Sequence, residues 1–354
     1  MQKKATILFL FISSLLSAQT GGSDVFPSLT FPISARSASM GGISIAVSDN
    51  DVNQLLQSPS LLNASMSKKL SFSFVNYYSD VKFGNFVYAQ KIDKLKGSVG
   101  AYLQFLDYGK FTRADETGAE IGQFYASDYV LGLSYSKPFA DTSFVIGASV
   151  KSIYGVYESY TSFANAVDIG ATYTNTKHLF GATILFKNWG KQWVGFTPNS
   201  EEKLPFEVQI GVSKKLAKAP FRFSLIGQQL QKWDLLYNDP ANPAPTVDPL
   251  TGEKIEKSKF SVFGSKLMSH VVFSTEILLT KNFFVNIGYN HLRRQELKLD
   301  TRPGMAGFSF GAGIKISKFN ISYGRAQYHL VGASNHISLT TRLSDFGGKK
   351  ENPN

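Results

Sequence analysis

Hydrophobic and polar residues alternate with a period of two along much of this chain. Successive side chains of a β-strand point to opposite faces, so this pattern predicts strands. The clearest segment spans the twelve residues 306–317, which is longer than the roughly 5–6 residues of a typical strand and long enough for a tilted membrane-crossing strand. One face of this segment carries Ala306, Phe308, Phe310, Ala312, Ile314 and Ile316, and the other carries glycine, serine and one lysine.

The same alternation recurs often enough to predict an all-β fold, a transmembrane antiparallel β-barrel of fourteen strands. An even number suits a single-chain barrel, because closure removes the unpaired edges that lipid does not tolerate. The inward positions are mostly small or uncharged, which indicates a filled or narrow lumen. The predicted strands span residues 68–79, 81–92, 95–108, 122–137, 142–156, 163–174, 178–189, 205–216, 221–232, 268–280, 282–292, 305–316, 319–328 and 334–344.

The connections between these strands alternate between short and long after the first hairpin. Outer-membrane barrels have short periplasmic turns and longer extracellular loops. The alternation therefore places both termini in the periplasm and every long connection outside the cell. The principal long loops are residues 109–121, 190–204, 233–267 and 293–304.

Two segments at the N-terminal end lie outside the predicted barrel, which spans residues 68–346. Lys3 and Lys4 precede an apolar run too short to span a bilayer, so residues 1–18 are predicted to be a secretory signal peptide. Residues 19–67 do not alternate, but they contain apolar side chains that argue against a disordered leader. We expect them to form a plug inside the lumen.

Composition excludes several other classes of protein. The chain has no cysteine, so it has neither disulfides nor thiolate sites, and its 29 Phe and 30 Gly fit a β-rich fold. The formal net charge is +11, but the basic residues are scattered. This distribution favours contact with anionic outer-membrane lipids or lipopolysaccharide over nucleic acid. Residues 347–354 read as a solvated tail.

No pattern of catalytic chemistry stands out in the sequence. The five histidines do not have metal-ligand spacing, and the segment from Asp49 to Asn53 lacks the glycine and late glutamate of a calcium-binding loop. The sequence therefore predicts a non-enzymatic protein with no cofactor and no metal.

Aromatic residues on the long loops are candidates for binding a partner. Exposed Trp and Tyr commonly anchor protein interfaces, although aromatic residues also form the belts at the edges of membrane barrels. The sequence assigns Trp189 and Trp233 to such a belt. The partner-binding candidates are Trp193, Phe196, Tyr237, Phe260 and Phe263.

The predicted plug and first hairpin resemble a known family. The stretch from Ser34 to Gly42, the run Ser48-Asp49-Asn50-Asp51 and the step Ser58-Pro59-Ser60 resemble the plug of FadL-like outer-membrane proteins. Within that superfamily, residues 70–89 look most like the PorQ-like barrels of the type IX secretion system. The family's usual Asn-Pro-Ala step is Ser-Pro-Ser here. The plug positions that carry the resemblance are Arg36, Gly41, Gly42, Asp49, Asp51 and Pro59.

The resemblance implies a non-catalytic component of the type IX attachment complex. In that role the barrel would hold a PorZ-like surface protein at the membrane, together with a PorU-like sortase and a PorV-like barrel. The alternative is a FadL-like transporter of hydrophobic small molecules across the outer membrane. A passive porin fits less well, because a plug would obstruct its channel.

Overall fold

The computed structural model describes residues 24–32, 34–77, 80–139, 143–198, 200–235, 258–297, 304–327 and 332–346. The predicted signal peptide and C-terminal tail therefore lie outside the described residues. Within the described part of the chain, no helix is both long enough and apolar enough to cross a membrane.

Fourteen antiparallel strands close into one barrel, which confirms the predicted fold class. Each strand pairs with its neighbours in sequence, and β1 pairs with β14 to close the sheet. The strands are β1 Lys69–Asn76, β2 Lys82–Ile92, β3 Gly97–Ala114, β4 Glu120–Phe139, β5 Phe144–Tyr157, β6 Tyr160–Asn175, β7 Phe180–Val194, β8 Glu207–Lys215, β9 Phe221–Gly227, β10 Val271–Ile277, β11 Phe283–Asn290, β12 Phe308–Ile316, β13 Phe319–Gln327 and β14 Ala333–Arg342.

The strand faces follow the alternation in the sequence. In β12, Phe308 and Phe310 point outward and are exposed, whereas Ser309 between them is buried in the lumen. In β4, Leu131 and Leu133 are likewise exposed on the outer wall. A barrel that shows apolar side chains outward and buries polar ones inward suits a lipid surrounding.

Several strands are longer than the sequence predicted. β3 and β4 pair from Ser98 and Ser136 up to Ala114 and Glu120, so the predicted loop 109–121 shrinks to residues 115–119. β7 similarly continues to Val194, inside the predicted loop 190–204. The β3–β4 ladder continues into a stretch where residues on both faces are exposed, so burial no longer alternates along the strands.

Other strands are shorter than predicted, because a bend follows β9 and a helix follows β11. β9 ends at Gly227 instead of 232, and β11 ends at Asn290 instead of 292. The helices α2, Lys259–Ser269, and α3, His291–Leu297, occupy parts of the predicted loops 233–267 and 293–304. Residues 228–232 and 291–292 contain only one leucine each among polar residues, so periodicity does not fix the strand boundary there.

The N-terminal segment runs through the lumen from one end to the other. Val25 N–H bonds the Lys203 carbonyl in the long β7–β8 connection, at 2.9 Å. The first described residues therefore lie at the long-connection end of the barrel. The plug comprises the short helix α1, Ala35–Ser39, and 3₁₀ turns at Pro27–Thr30, Val52–Leu56, Pro59–Leu61 and Ala64–Met66.

The hydrophobic core lies inside the barrel, between the plug and the wall. Plug residues Phe26, Leu55 and Met66 pack against wall residues such as Phe83 and Leu106 on the β1–β6 side. Wall glycines allow the plug backbone to approach closely, and a Cβ on Gly147 would collide with the backbone of Pro59. The lumen is therefore a packed interior on this side.

Replacing Gly147 by Ala tests this close packing. The added methyl group would have to displace the Pro59 backbone, so we expect the free energy of unfolding to fall by about 1–3 kcal/mol. Urea unfolding of the folded barrel in detergent measures the change. The matched control is Gly264→Ala on α2, where a Cβ meets no atom within 4 Å. Equal stability of wild type and Gly147→Ala would contradict the packing of Pro59 against β5.

Candidate functional site

A buried cluster of five charged side chains ties the middle of the plug to the barrel wall. Arg36 on α1 donates hydrogen bonds to Glu276 of β10 at 2.8 and 3.0 Å, and to Asp49 at 2.7 and 3.1 Å. Asp51 accepts a longer bond from Arg36 at 3.4 Å. Arg222 of β9 bonds the second oxygen of Glu276 at 2.9 Å. Two cations thus face three carboxylates across the plug–wall boundary.

The protonation of this cluster follows from its mutual contacts. Burial alone would raise the pKa of the Asp49 carboxyl, but the guanidinium groups of Arg36 and Arg222 hold that pKa well below its usual range. Burial likewise opposes the charged form of Arg36, yet Asp49 and Glu276 raise its pKa above the ordinary value. Arg36 and Asp49 are therefore both charged in this cluster.

Local plug geometry places Arg36 in this position. Ser34 caps α1 in a capping box with Ser37 and accepts a bond from the Ser37 backbone N–H. After the helix, Gly41 and Gly42 take positive φ values of 85° and 96°, which turn the chain back along the wall. The Gly41 N–H donates to Ser309 Oγ at 2.9 Å.

Small hydroxyl side chains attach the rest of the plug to the wall. Ser338 Oγ accepts a bond from the Ala35 N–H at 3.0 Å, and Ser213 Oγ donates to the Ala46 carbonyl at 2.7 Å. Ser60, beside Pro59, bonds Thr172 at 2.7 Å. These bonds satisfy polar backbone groups that would otherwise be buried without partners.

Three of the six plug positions named by the sequence lie together, and two of their wall partners were not predicted. Arg36, Asp49 and Asp51 meet in one cluster, while Gly41, Gly42 and Pro59 are wall contacts elsewhere along the plug. Glu276 and Arg222 were not predicted, although both occupy inward positions of their strands. The lumen also holds the buried pair Lys151–Asp168 at 2.7 Å, so its walls carry more charge than the alternation indicated.

The aromatic candidates fall in three different places. Trp193 projects outward from the far end of β7 with 62% of its surface exposed, and Phe260 on α2 is 83% exposed. Phe263 is exposed beside Trp233, with ring centroids 5.7 Å apart. Phe196 instead packs inward, stacked on Tyr157 at 4.3 Å and against Phe26 of the plug. Tyr237 lies outside the described residues.

The wall between β8 and β9 has a short regular ladder. It runs from the pair Lys215–Arg222 only to Ile210–Gly227. Beyond Gly227 the chain bends, with Gln229 at a positive φ of 51°. Side chains then supply some of the partners: the Gln229 N–H donates to Glu207 at 3.1 Å and the Val208 N–H donates to Gln231 at 2.9 Å, while the Leu230 N–H still donates to the Val208 carbonyl at 3.0 Å. We call this region the β8–β9 seam, residues 207–210 and 227–231.

An apolar groove of about 550 Å³ lies on the outer wall beside this seam. Its floor contains the small residues Ala171, Ala182 and Gly227, and Leu230 and Leu267 stand at its edge. Directly inside the wall, plug residue Ile45 packs with Leu185, Ile226 and Val272 in a second apolar cluster. Glycine at position 211 lets Ile45 approach the wall closely, because a Cβ there would lie only 2.9 Å from the Ile45 side chain.

Among the described residues, no group of three or more His, Cys, Asp or Glu is arranged to hold a metal ion. The acidic residues of the plug cluster face arginines and are used in ion pairs.

Comparison with known proteins identifies the fold. No protein-family model matches the chain, and no curated protein matches it. Among solved structures, the toluene transporter TbuX of Ralstonia pickettii is 12% identical, with a TM-score of 0.51 over 90% of this chain and 100% of that one. The P. putida toluene transporter TodX is 11% identical, with a TM-score of 0.51 over 89% of this chain and 99% of that one.

The CymD monoaromatic hydrocarbon channel gives a similar result, with 11% identity and a TM-score of 0.50 over 88% of this chain and 98% of that one. The chain therefore shares its whole fold with this group of barrels. At sequence identities this low, the similarity supports a shared fold and nothing beyond it.

Replacing Asp49 by Asn tests the charge cluster. The folded pKa of Asp49 lies below the unfolded value of about 3.9, so its stabilisation is complete above that pH and is lost as pH falls toward the folded pKa. We expect the variant to lose about 1.5–3 kcal/mol of unfolding free energy at pH 7. Between pH 7 and pH 3 its free energy of unfolding should fall by less than that of wild type, as measured by urea unfolding.

The control for this variant is Asp93→Asn, which removes an exposed carboxylate from a short turn. It should unfold like wild type at both pH values. The same acid sensitivity in wild type and Asp49→Asn would show that Asp49 does not carry the pH dependence.

Proposed function

We propose that this protein is an outer-membrane barrel of a Gram-negative bacterium that passes hydrophobic small molecules, with its long connections facing the cell exterior. The outward apolar faces of the strands support a membrane location. The shared fold with toluene transporters and a monoaromatic hydrocarbon channel supports the class of substrate. The proposed role is non-catalytic.

The observation that carries the proposal is apolar surface on both sides of the wall at the β8–β9 seam. The plug cluster around Ile45 lies inside, and the apolar groove lies outside. Between them the wall contributes glycine at position 211 and a ladder that is already interrupted. A hydrophobic molecule crossing here would remain in contact with apolar side chains throughout.

The axial route through the barrel is less favourable for such a molecule. The plug fills the lumen, and its middle is held by the ion pairs around Arg36. Separating buried ion pairs costs several kcal/mol, and the exposed charges would not stabilise an apolar molecule. Sideways passage into lipid, in contrast, gains hydrophobic free energy of about 25 cal/mol per Å² of apolar surface removed from water.

A reversible disulfide across the seam tests lateral passage. The chain has no cysteine, so a double variant Ile210→Cys/Gly227→Cys places two thiols at directly paired positions. We expect oxidation to lower the initial uptake of labelled toluene by cells at least tenfold, because the seam can no longer widen. Reduction with dithiothreitol should restore the uptake.

The matched control is Leu133→Cys/Val150→Cys, an outward-facing pair on β4 and β5 on a different part of the wall. Its oxidation should leave uptake unchanged. Uptake by oxidised Ile210→Cys/Gly227→Cys equal to that of the reduced form would rule out the seam. Uptake by wild-type cells no faster than by cells lacking the protein would rule out the transport function itself.

A second candidate function is the anchoring of a surface protein, as the resemblance to PorQ-like barrels implies. We propose a PorZ-like protein as the docked partner, with a PorU-like sortase and a PorV-like barrel in the same assembly. The observation that favours it is the exposure of Trp193 and Phe260 at the long-connection end. Large aromatic side chains in such positions are common anchors of protein interfaces.

Co-purification from detergent-solubilised outer membranes tests this candidate. If the long-connection end docks a PorZ-like protein, Trp193→Ala/Phe260→Ala should reduce its recovery at least tenfold, since interface anchors contribute about 2 kcal/mol or more each. Trp189→Ala is the control, because Trp189 is equally exposed but lies lower on β7. Recovery of the barrel without any PorZ-like protein from wild-type membranes would rule out this function.

A further inference from the structure

A second cavity, of about 640 Å³, opens at the short-turn end of the lumen. It lies below the plug cluster, between the plug and strands β1, β10–β11 and β12–β14. Its lining is strongly basic, with six basic and only three acidic side chains. The basic residues are Arg36, Lys69, Lys281, Lys315, Lys318 and Arg342, and the acidic ones are Asp49, Asp51 and Asp345.

The acidic side chains do not neutralise this excess. Asp49 and Asp51 are already bound to Arg36 in the plug cluster. Among the described residues, no carboxylate lies within 4.0 Å of the amine of Lys281, Lys315 or Lys318. Lys318 lies over the ring of Phe346 at 4.8 Å, a contact that leaves its charge uncompensated. Three lysines around the cavity therefore retain free positive charge.

Two further cations are held side by side in the same cavity. Lys69 and Arg342 are directly paired across β1 and β14, at the closure of the barrel. Lys69 donates to the Asn50 carbonyl and Arg342 to the Ser65 carbonyl at 2.8 Å, so both are fixed by the plug. Like charges on directly opposed strand positions repel each other. An anion in the cavity would offset this repulsion.

Neutral donors complete the lining. Asn282 and Asn320 flank Lys315, and Ser322 and Thr340 supply hydroxyl groups. Lysine binds phosphate as a point charge, and arginine binds both phosphate and carboxylate through paired hydrogen bonds. Four of the five cations outside the plug cluster are lysines, and the volume suits a small molecule.

We propose that this cavity binds a small phosphate-bearing anion that enters from the short-turn side. The site is separate from the apolar groove and does not depend on the proposed transport function. Its charge and its position below Arg36 distinguish it from any path for an apolar molecule. Binding would bring negative charge against the face of the plug that already carries Arg36.

Calorimetric titration of the full chain in detergent with inorganic pyrophosphate tests the site. We expect wild type to bind pyrophosphate, and Lys281→Gln/Lys315→Gln to bind it at least tenfold more weakly. Lys315→Arg keeps the charge and should remain within about threefold of wild type. The matched control is Lys110→Gln, which removes an exposed lysine from the opposite end of the barrel and should bind like wild type.

Heat-dependent mobility on gels verifies that each variant is a folded barrel, so weaker binding reports on the site and not on misfolding. No binding of pyrophosphate by folded wild type at millimolar concentration would overturn the proposal. So would equal weakening by Lys110→Gln, which would indicate a general charge effect.

Two comparisons identify the chemistry and source of the anion. Citrate at equal ionic strength should bind at least tenfold more weakly than pyrophosphate, and equal affinity would overturn the assignment to phosphate. In nanodiscs, pyrophosphate should bind equally with neutral lipid and with anionic phosphatidylglycerol. Loss of binding only in the anionic discs would show that a lipid headgroup occupies the cavity, and would overturn the assignment to a soluble anion.

Discussion

The structure depends on one constraint, the pairing of every backbone N–H and C=O group in a wall that has no water beside it. A sheet with free edges cannot meet this requirement in lipid, so β1 must pair with β14. Closure in turn fixes which side chains point inward. The enclosed space then has to be filled, and the N-terminal segment fills it with an apolar core on one side and ion pairs on the other. The basic cavity lies where this filling is least complete.

The period-two pattern predicted the number of strands because the alternation that marks a strand involves only residues that are adjacent in the sequence. It could not place the strand ends. At β3 and β4 the ladder continues into a stretch where both faces are exposed, so alternation no longer marks the strand. At β9 and β11 the chain bends or turns into helix, and the hydrogen bonds responsible come from residues such as Glu207 that lie about twenty positions away.

The functional features were likewise predictable where their residues are close in the sequence, and not where they come from distant strands. Arg36, Asp49 and Asp51 stand close together in the sequence and could be selected as a plug motif. Their wall partners Glu276 and Arg222 are far away in the chain and read as ordinary alternating positions. The apolar groove is formed by the small size of Ala171, Ala182 and Gly227 on three different strands. Its shape depends on the register between strands, which one segment of sequence does not specify.

The course of the plug also constrains how the protein can be built. The segment that leaves the ribosome before the strands ends up bonded to the last ones, with Ala35 on Ser338 and Gly41 on Ser309. These contacts of the plug with β12 and β14 can therefore form only after the whole chain has been made. Assembly is not a progression from first strand to last, because the beginning of the chain has to wait for its end.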